Sequence, residues 1–185
     1  VNPGPYWHAP DALRGGLNML HFGLGARVVE AAGKPLDDRA QERLAPLHDG
    51  LAPHTAAPTI DHQVVLRLAA PAELAGAMVQ LRATAGTERW PAEAIFEISV
   101  NGTDWQMAAS MALESINAPQ YVVFDRPRQA AYLRATFPSC NLKCNDTQVQ
   151  ELQAIATPGA HPEGLPPVNV ANEALGGHVI YALPS

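Results

Sequence analysis

Positive charge is scarce in this 185-residue chain: 12 lysines and arginines stand against 18 aspartates and glutamates, for a net charge of −6. The basic residues are scattered, and nucleic-acid binding depends on clustered ones that displace counterions, so no nucleic-acid partner is expected. An anionic membrane surface is disfavoured for the same reason. No apolar run approaches the about 18 residues that cross a bilayer as a helix, so no transmembrane segment is expected. No charged-then-apolar leader opens the chain. Its first residue is Val, which suits a processed protein or an excerpt from a longer one.

Signatures of catalysis are missing too. There is no Gly-x-Ser-x-Gly or His-Glu-x-x-His run, and Cys140 has no His near it in sequence. Glu93, Glu97 and Asp104 surround one strand, where alternation and a solvated face account for them. The expectation is a non-enzyme. Cysteine is limited to Cys140 and Cys144, in Ser-Cys-Asn-Leu-Lys-Cys-Asn. The pair forms a small disulfide if the Cα atoms come within about 7 Å, and an oxidising compartment would follow. Two free thiols are the alternative. The same spacing serves binuclear copper sites, but those need a His and a Met shortly downstream, and residues 145–150 supply neither. His48, His54 and His62 cluster around Asp49 and Asp61 without a zinc spacing, so solvated or turn-capping roles are expected.

What the chain has is punctuation: 17 prolines and 14 glycines, with only 16% of residues charged. Residues 1–17 carry Pro3, Pro5 and Pro10 around Tyr6-Trp7-His8, which reads as an extended linker or an arm packed on a neighbour. The pattern is then mostly β. Strands are expected at 26–32, 63–68, 74–84, 94–100, 105–109, 120–125, 130–137 and 148–156. Phe96, Ile98 and Val100 share one face, and Asn101-Gly102 makes a hairpin turn. One short helix is expected at 37–44, opened by Asp37 with Leu36, Ala40 and Leu44 on one side. About eight strands with turn signals every 8–12 residues predict an all-β sandwich or barrel.

A repeat sets the boundaries. Asn18 to Ala31 lines up with Asn169 to Ala182, 151 residues later, with identities at Asn18/Asn169, Leu24/Leu175, Gly25/Gly176, Val28/Val179 and Ala31/Ala182. Such a spacing is one domain plus a linker. The expected organisation is an arm at 1–17, a sandwich at 18–157, a linker at 158–168, and at 169–185 the first strand of a following repeat or a pairing arm.

The order of these pieces resembles the discoidin family, the coagulation-factor C-type domains that share the galactose-binding-like jelly roll. Leu47-His-Asp-Gly50 is similar to that family's Leu-x-Asp-Gly loop, and Gln63 to Leu68 followed by Ala-Ala-Pro to its next strand. Phe96-Glu-Ile-Ser-Val-Asn-Gly-Thr-Asp-Trp105 resembles its strand, turn and Trp. Tyr132-Leu-Arg-Ala-Thr-Phe137, then Val149-Gln-Glu-Leu152, resembles its last two core strands. The resemblance implies an eight-stranded antiparallel jelly-roll β-sandwich, with Pro/Gly-rich extended arms at both ends. It implies a core position for Trp105 and, in many members, a structural Ca²⁺; the matching side chains here are Asp49, Thr55 and Glu151. The chain departs from the pattern at Leu51, Ala56 and Ala57, and it offers few carboxylates near Asp49 for an ion that wants six to eight oxygens.

The function expected first is a non-catalytic binding or assembly module of an exported protein (periplasmic, cell-surface or secreted), acting through neighbouring repeats or other protein subunits. The alternative is carbohydrate binding by loops at one end of the sandwich. For that, Trp90 on its loop and the forks of Arg126 and Arg128 beside Asp125 are the candidate contacts, while Arg134 reads as a surface charge.

Overall fold

The computed structural model describes residues 9–49, 59–60, 62–82, 91–114, 116–138, 147–160, 162–163 and 165. The expected second copy of the repeat, at 169–182, lies outside them. Eight strands run through the described residues: β1 Arg27–Ala31, β2 Lys34–Pro35, β3 Thr59–Ile60, β4 Gln63–Leu81, β5 Glu93–Ser99, β6 Gln106–Ala112, β7 Pro119–Thr136 and β8 Thr147–Ala156. Their pairings are all antiparallel. One helix, α1, spans Asp38–Leu44; the Asp37 carboxylate accepts the Ala40 N–H at 2.7 Å and so satisfies an amide the helix leaves open.

The strand count matches the expectation, but the strands divide differently. Two pairs of expected strands are single long ones, β4 with 19 residues and β7 with 18. The first half of β4 pairs with the end of β7, as Gln63↔Thr136 to Arg67↔Tyr132, and its second half pairs with the start of β7, as Gly76↔Val123 to Gln80↔Pro119. Register shifts between Arg67 and Ala72 and between Leu74 and Gly76 let both strands bend across a corner. Pro71 and Pro127 sit where the ladder is interrupted, so neither costs a hydrogen bond. Two sheets result, sharing β4 and β7. The first runs β2-β1-β4-β7-β5-β6, and the second adds β8 beside β4 and β3 beside β8.

Between the sheets lies one core. Val64, Leu66, Phe96 and Leu133 enter from the first sheet, Val79 and Leu152 from the second, all fully buried. Each such side chain contributes about 1.5–3 kcal/mol by leaving water. Val100 is not among them: it is 63% exposed, because β5 stops at Ser99 and the alternation ends with the strand. A second cluster forms on the outer face of the second sheet, where Leu13 packs on Ala75, Met78 and Ile155. Gly76 and Gly16 permit that approach. A Cβ on Gly76 would run into the Val122 carbonyl and lie 2.8 Å from Leu13, and one on Gly16 would meet Ala156 and Ile155.

Candidate functional site: a polar groove on the first sheet

Strand alternation decides what the first sheet shows to the outside. On β7, Leu133 and Ala135 point into the core, so Tyr132 and Arg134 face outward. Register then builds a transverse row: Glu30 opposite Val65, Val65 opposite Arg134, and Arg134 opposite Glu97. The irregularity between Val28 and Glu30 matters here, since it keeps Val28 buried while Glu30 joins the outer row.

Arg134 is held in a fork. Its Nε donates to Glu97 Oε2 at 2.6 Å and its Nη2 to Oε1 at 2.7 Å. The guanidinium also stacks on Trp105, 4.4 Å from the ring centroid. Trp105 reaches that place through the loop between β5 and β6, which its own side chains shape. Ser99 Oγ accepts the N–H groups of Asn101 and Gly102 at 3.2 and 2.9 Å. Asn101 Oδ1 accepts those of Thr103 and Asp104, both at 2.9 Å. Gly102 takes the left-handed conformation, φ +79°. Asn101-Gly102 is therefore part of a longer loop, not a two-residue hairpin.

Trp105 is thus not a core residue. It is half-buried on the outer face, because the strand's inside–outside phase does not carry through a loop held by side-chain hydrogen bonds. Its ring helps enclose a groove of about 330 Å³, at the lower end of small-molecule pockets, which run from about 300 to 1,000 Å³. Glu30 and Pro35 line one side, Asn101 and Trp105 the other, with Val65, Tyr132 and Arg134 between them. Among the described residues Glu30 and the Tyr132 hydroxyl have no hydrogen-bond partner. The groove therefore offers a carboxylate acceptor, a phenol, the outer N–H groups of a fixed guanidinium and an indole.

Of the residues expected to contact a ligand, Arg126 and Arg128 lie outside this groove. Trp90 is outside the described residues. Arg126 is exposed at the bend of β7. Arg128 sits at the same bend with its fork in use, Nη1 donating to the Met107 carbonyl at 2.8 Å and Nη2 to Asp125 at 2.7 Å. That hydrogen bond lowers the Asp125 pKa. Tyr132 and Arg134 were findable in principle, since alternation marks them as outward; Glu30 was not, since alternation from Val28 would turn it inward and only the irregularity beside Val28 brings it out. Their meeting depends on register across three strands, which the sequence does not show.

Cys140, Cys144 and Thr55 also fall outside the described residues. Asp49 is half-buried after a 3-10 turn, and Glu151 is buried on β8 opposite Gln80. Among the described residues no three His, Cys, Asp or Glu side chains gather as a metal site would need. His48 is a correction: it is fully buried rather than solvated, with Nδ1 2.6 Å from the Leu20 carbonyl. Burial lowers its pKa to about 4, with Arg27 pushing the same way. Asn18 holds the same residue through the preceding peptide, its Oδ1 accepting the Leu20 N–H at 3.0 Å. His54 is outside the described residues, and His62 is exposed in a left-handed turn, φ +57°.

No protein-family model matches the sequence, and neither does any curated protein. Solved structures do. The CBM32-3 module of a family 31 glycoside hydrolase from Clostridium perfringens aligns over 81% of this chain and 100% of its own, with 14% identity and a TM-score of 0.56. The family 32 carbohydrate-binding module of Streptococcus pneumoniae EndoD aligns over 76% and 99%, with 12% identity and a TM-score of 0.55. The F5/8 type C domain of a Bacteroides fragilis protein aligns over 77% and 98%, with 17% identity and a TM-score of 0.54. The chain has the discoidin-like jelly-roll fold of these modules.

Proposed function

We propose that the chain is a non-catalytic carbohydrate-binding module of an exported protein, with the groove on the first sheet as its binding site. One observation carries this reading. An indole, a phenol, a carboxylate and a fixed guanidinium line a single groove of about 330 Å³. Sugars are bound by that combination, an aromatic body for the C–H face and planar charged groups that pair with neighbouring hydroxyls. The likeness in fold to carbohydrate-binding modules supports it. Assembly through protein contact has less support, since it rested on pairing by residues 169–185, outside the described residues.

The test is a glycan array followed by titration of the best binder, with native protein and with Trp105→Ala. Binding that falls at least about tenfold in the variant, whose melting transition is kept, supports the reading. An array without a binder removes it. Binding indifferent to Trp105→Ala removes the groove as its site.

A further inference from the structure

The groove is not electrically neutral in what it can offer a ligand. Its guanidinium, Arg134, is already matched by Glu97 through two hydrogen bonds at 2.6 and 2.7 Å. The second carboxylate, Glu30, lines the groove with no partner among the described residues. Between them lies Val65, directly opposite both. Strands spaced about 4.8 Å apart put Glu30 and Arg134 roughly 10 Å from each other across that apolar floor. A pyranose lying there meets an acceptor at one edge and a spent cation at the other. Arg67 shares this outer face opposite Tyr132, but it is outside the groove lining.

We infer that Glu30 sets the charge of the ligand: the groove admits uncharged pyranosides and shuts out those bearing a carboxylate. This rests on the glycan-binding reading above. Glu30 accepts hydrogen bonds from ligand hydroxyls, which a neutral sugar supplies. A uronide brings a second negative charge beside it and finds no unpaired cation among the described residues of the lining. Exclusion by an uncompensated like charge is how a site rejects a ligand of the right shape.

Matched methyl glycosides differing only at C6 test this: galactoside against galacturonide, and glucoside against glucuronide, titrated by saturation-transfer NMR. Native protein should favour the neutral member of whichever pair binds by about tenfold or more, and raising the salt should shrink that ratio. Glu30→Gln should bring the two members within about threefold. Glu30→Gln with Glu97→Gln, which frees Arg134, should bind the uronide better than the galactoside or glucoside. That gain cannot arise from a folding defect. Equal binding of both members by native protein overturns the inference and leaves the glycan reading standing. So does a folded double variant that gains no uronide. If no member of either pair binds and the array is also empty, the glycan reading itself falls.

Discussion

The outer face of the second sheet is apolar and covered, whereas the outer face of the first is polar and open. On the second, Met78 and Ile155 are buried beneath Leu13 from the chain's own N-terminal arm. On the first, Glu30, Tyr132 and Arg134 line a groove that no segment of the described chain fills. The same two long strands, β4 and β7, build both faces. Their outward positions change character across the bend, from Val65 and Arg67 to Gly76 and Met78 on β4. Apolar outward positions were settled by recruiting a cover from the same chain. Polar ones were left to be settled by something else, and this is the physical basis for placing function on the first sheet.

The largest expected effect breaks the covered face. Leu13→Ala removes a side chain that is 1% exposed and leaves a cavity over the second sheet. It should cost about 2–4 kcal/mol in urea denaturation. Gly76→Ala, forced against Leu13 and the Val122 carbonyl, should cost roughly 1–3 kcal/mol. Neither should alter glycan affinity in protein that remains folded. A Leu13→Ala loss below about 0.5 kcal/mol would mean that the arm only rests on the sheet.

A second expectation concerns the interior that both faces share. His48 in the folded protein titrates near 4, well below its ordinary value of 6.5, because burial disfavours its charged form. The unfolded chain therefore binds more protons between those two values. The stability that His48 lends is whole above pH 6.5, declines as pH falls, and is spent by about pH 4. The span is on the order of 3 kcal/mol. His21, also lowered by burial, acts in the same direction. Urea midpoints at intervals between pH 7 and 4 should fall in native protein and fall less steeply in His48→Gln. Parallel curves would assign the acid sensitivity to other groups.

Periodicity alone made most of this fold legible. The alternation of Phe96-Glu-Ile-Ser placed β5, and Asp37 placed the start of α1. Two errors share a cause. Pro71 and Pro127 look like strand breaks, yet each lies at a bend where the ladder already pauses. Trp105 looks like a core residue, yet a loop stands between it and the strand whose phase it was assigned. The groove was less legible than the fold for a related reason. Glu30, Val65 and Arg134 are far apart in sequence and meet only through register, and a single bulge beside Val28 decides whether Glu30 faces out. Signals of local period survive in a sequence, whereas relations across strands do not.

The smallest expected effect sharpens the contrast most. Arg134 and Glu97 make the bidentate pair at the groove, with side chains 22% and 23% exposed. Water screens such a pair, and double-mutant cycles on exposed pairs give about 0.2–1 kcal/mol. Arg134→Gln, Glu97→Gln and their combination should show coupling in that range in urea denaturation, smaller at high salt. Glycan affinity should drop far more in Arg134→Gln, because the guanidinium then no longer faces the ligand. Large effect on binding with small effect on stability is what an open functional face requires. If the coupling reached about 3 kcal/mol, as breaking a truly buried pair does, Arg134 and Trp105 would be holding the first sheet together as Leu13 holds its cover on the second. The two faces would then differ in polarity alone.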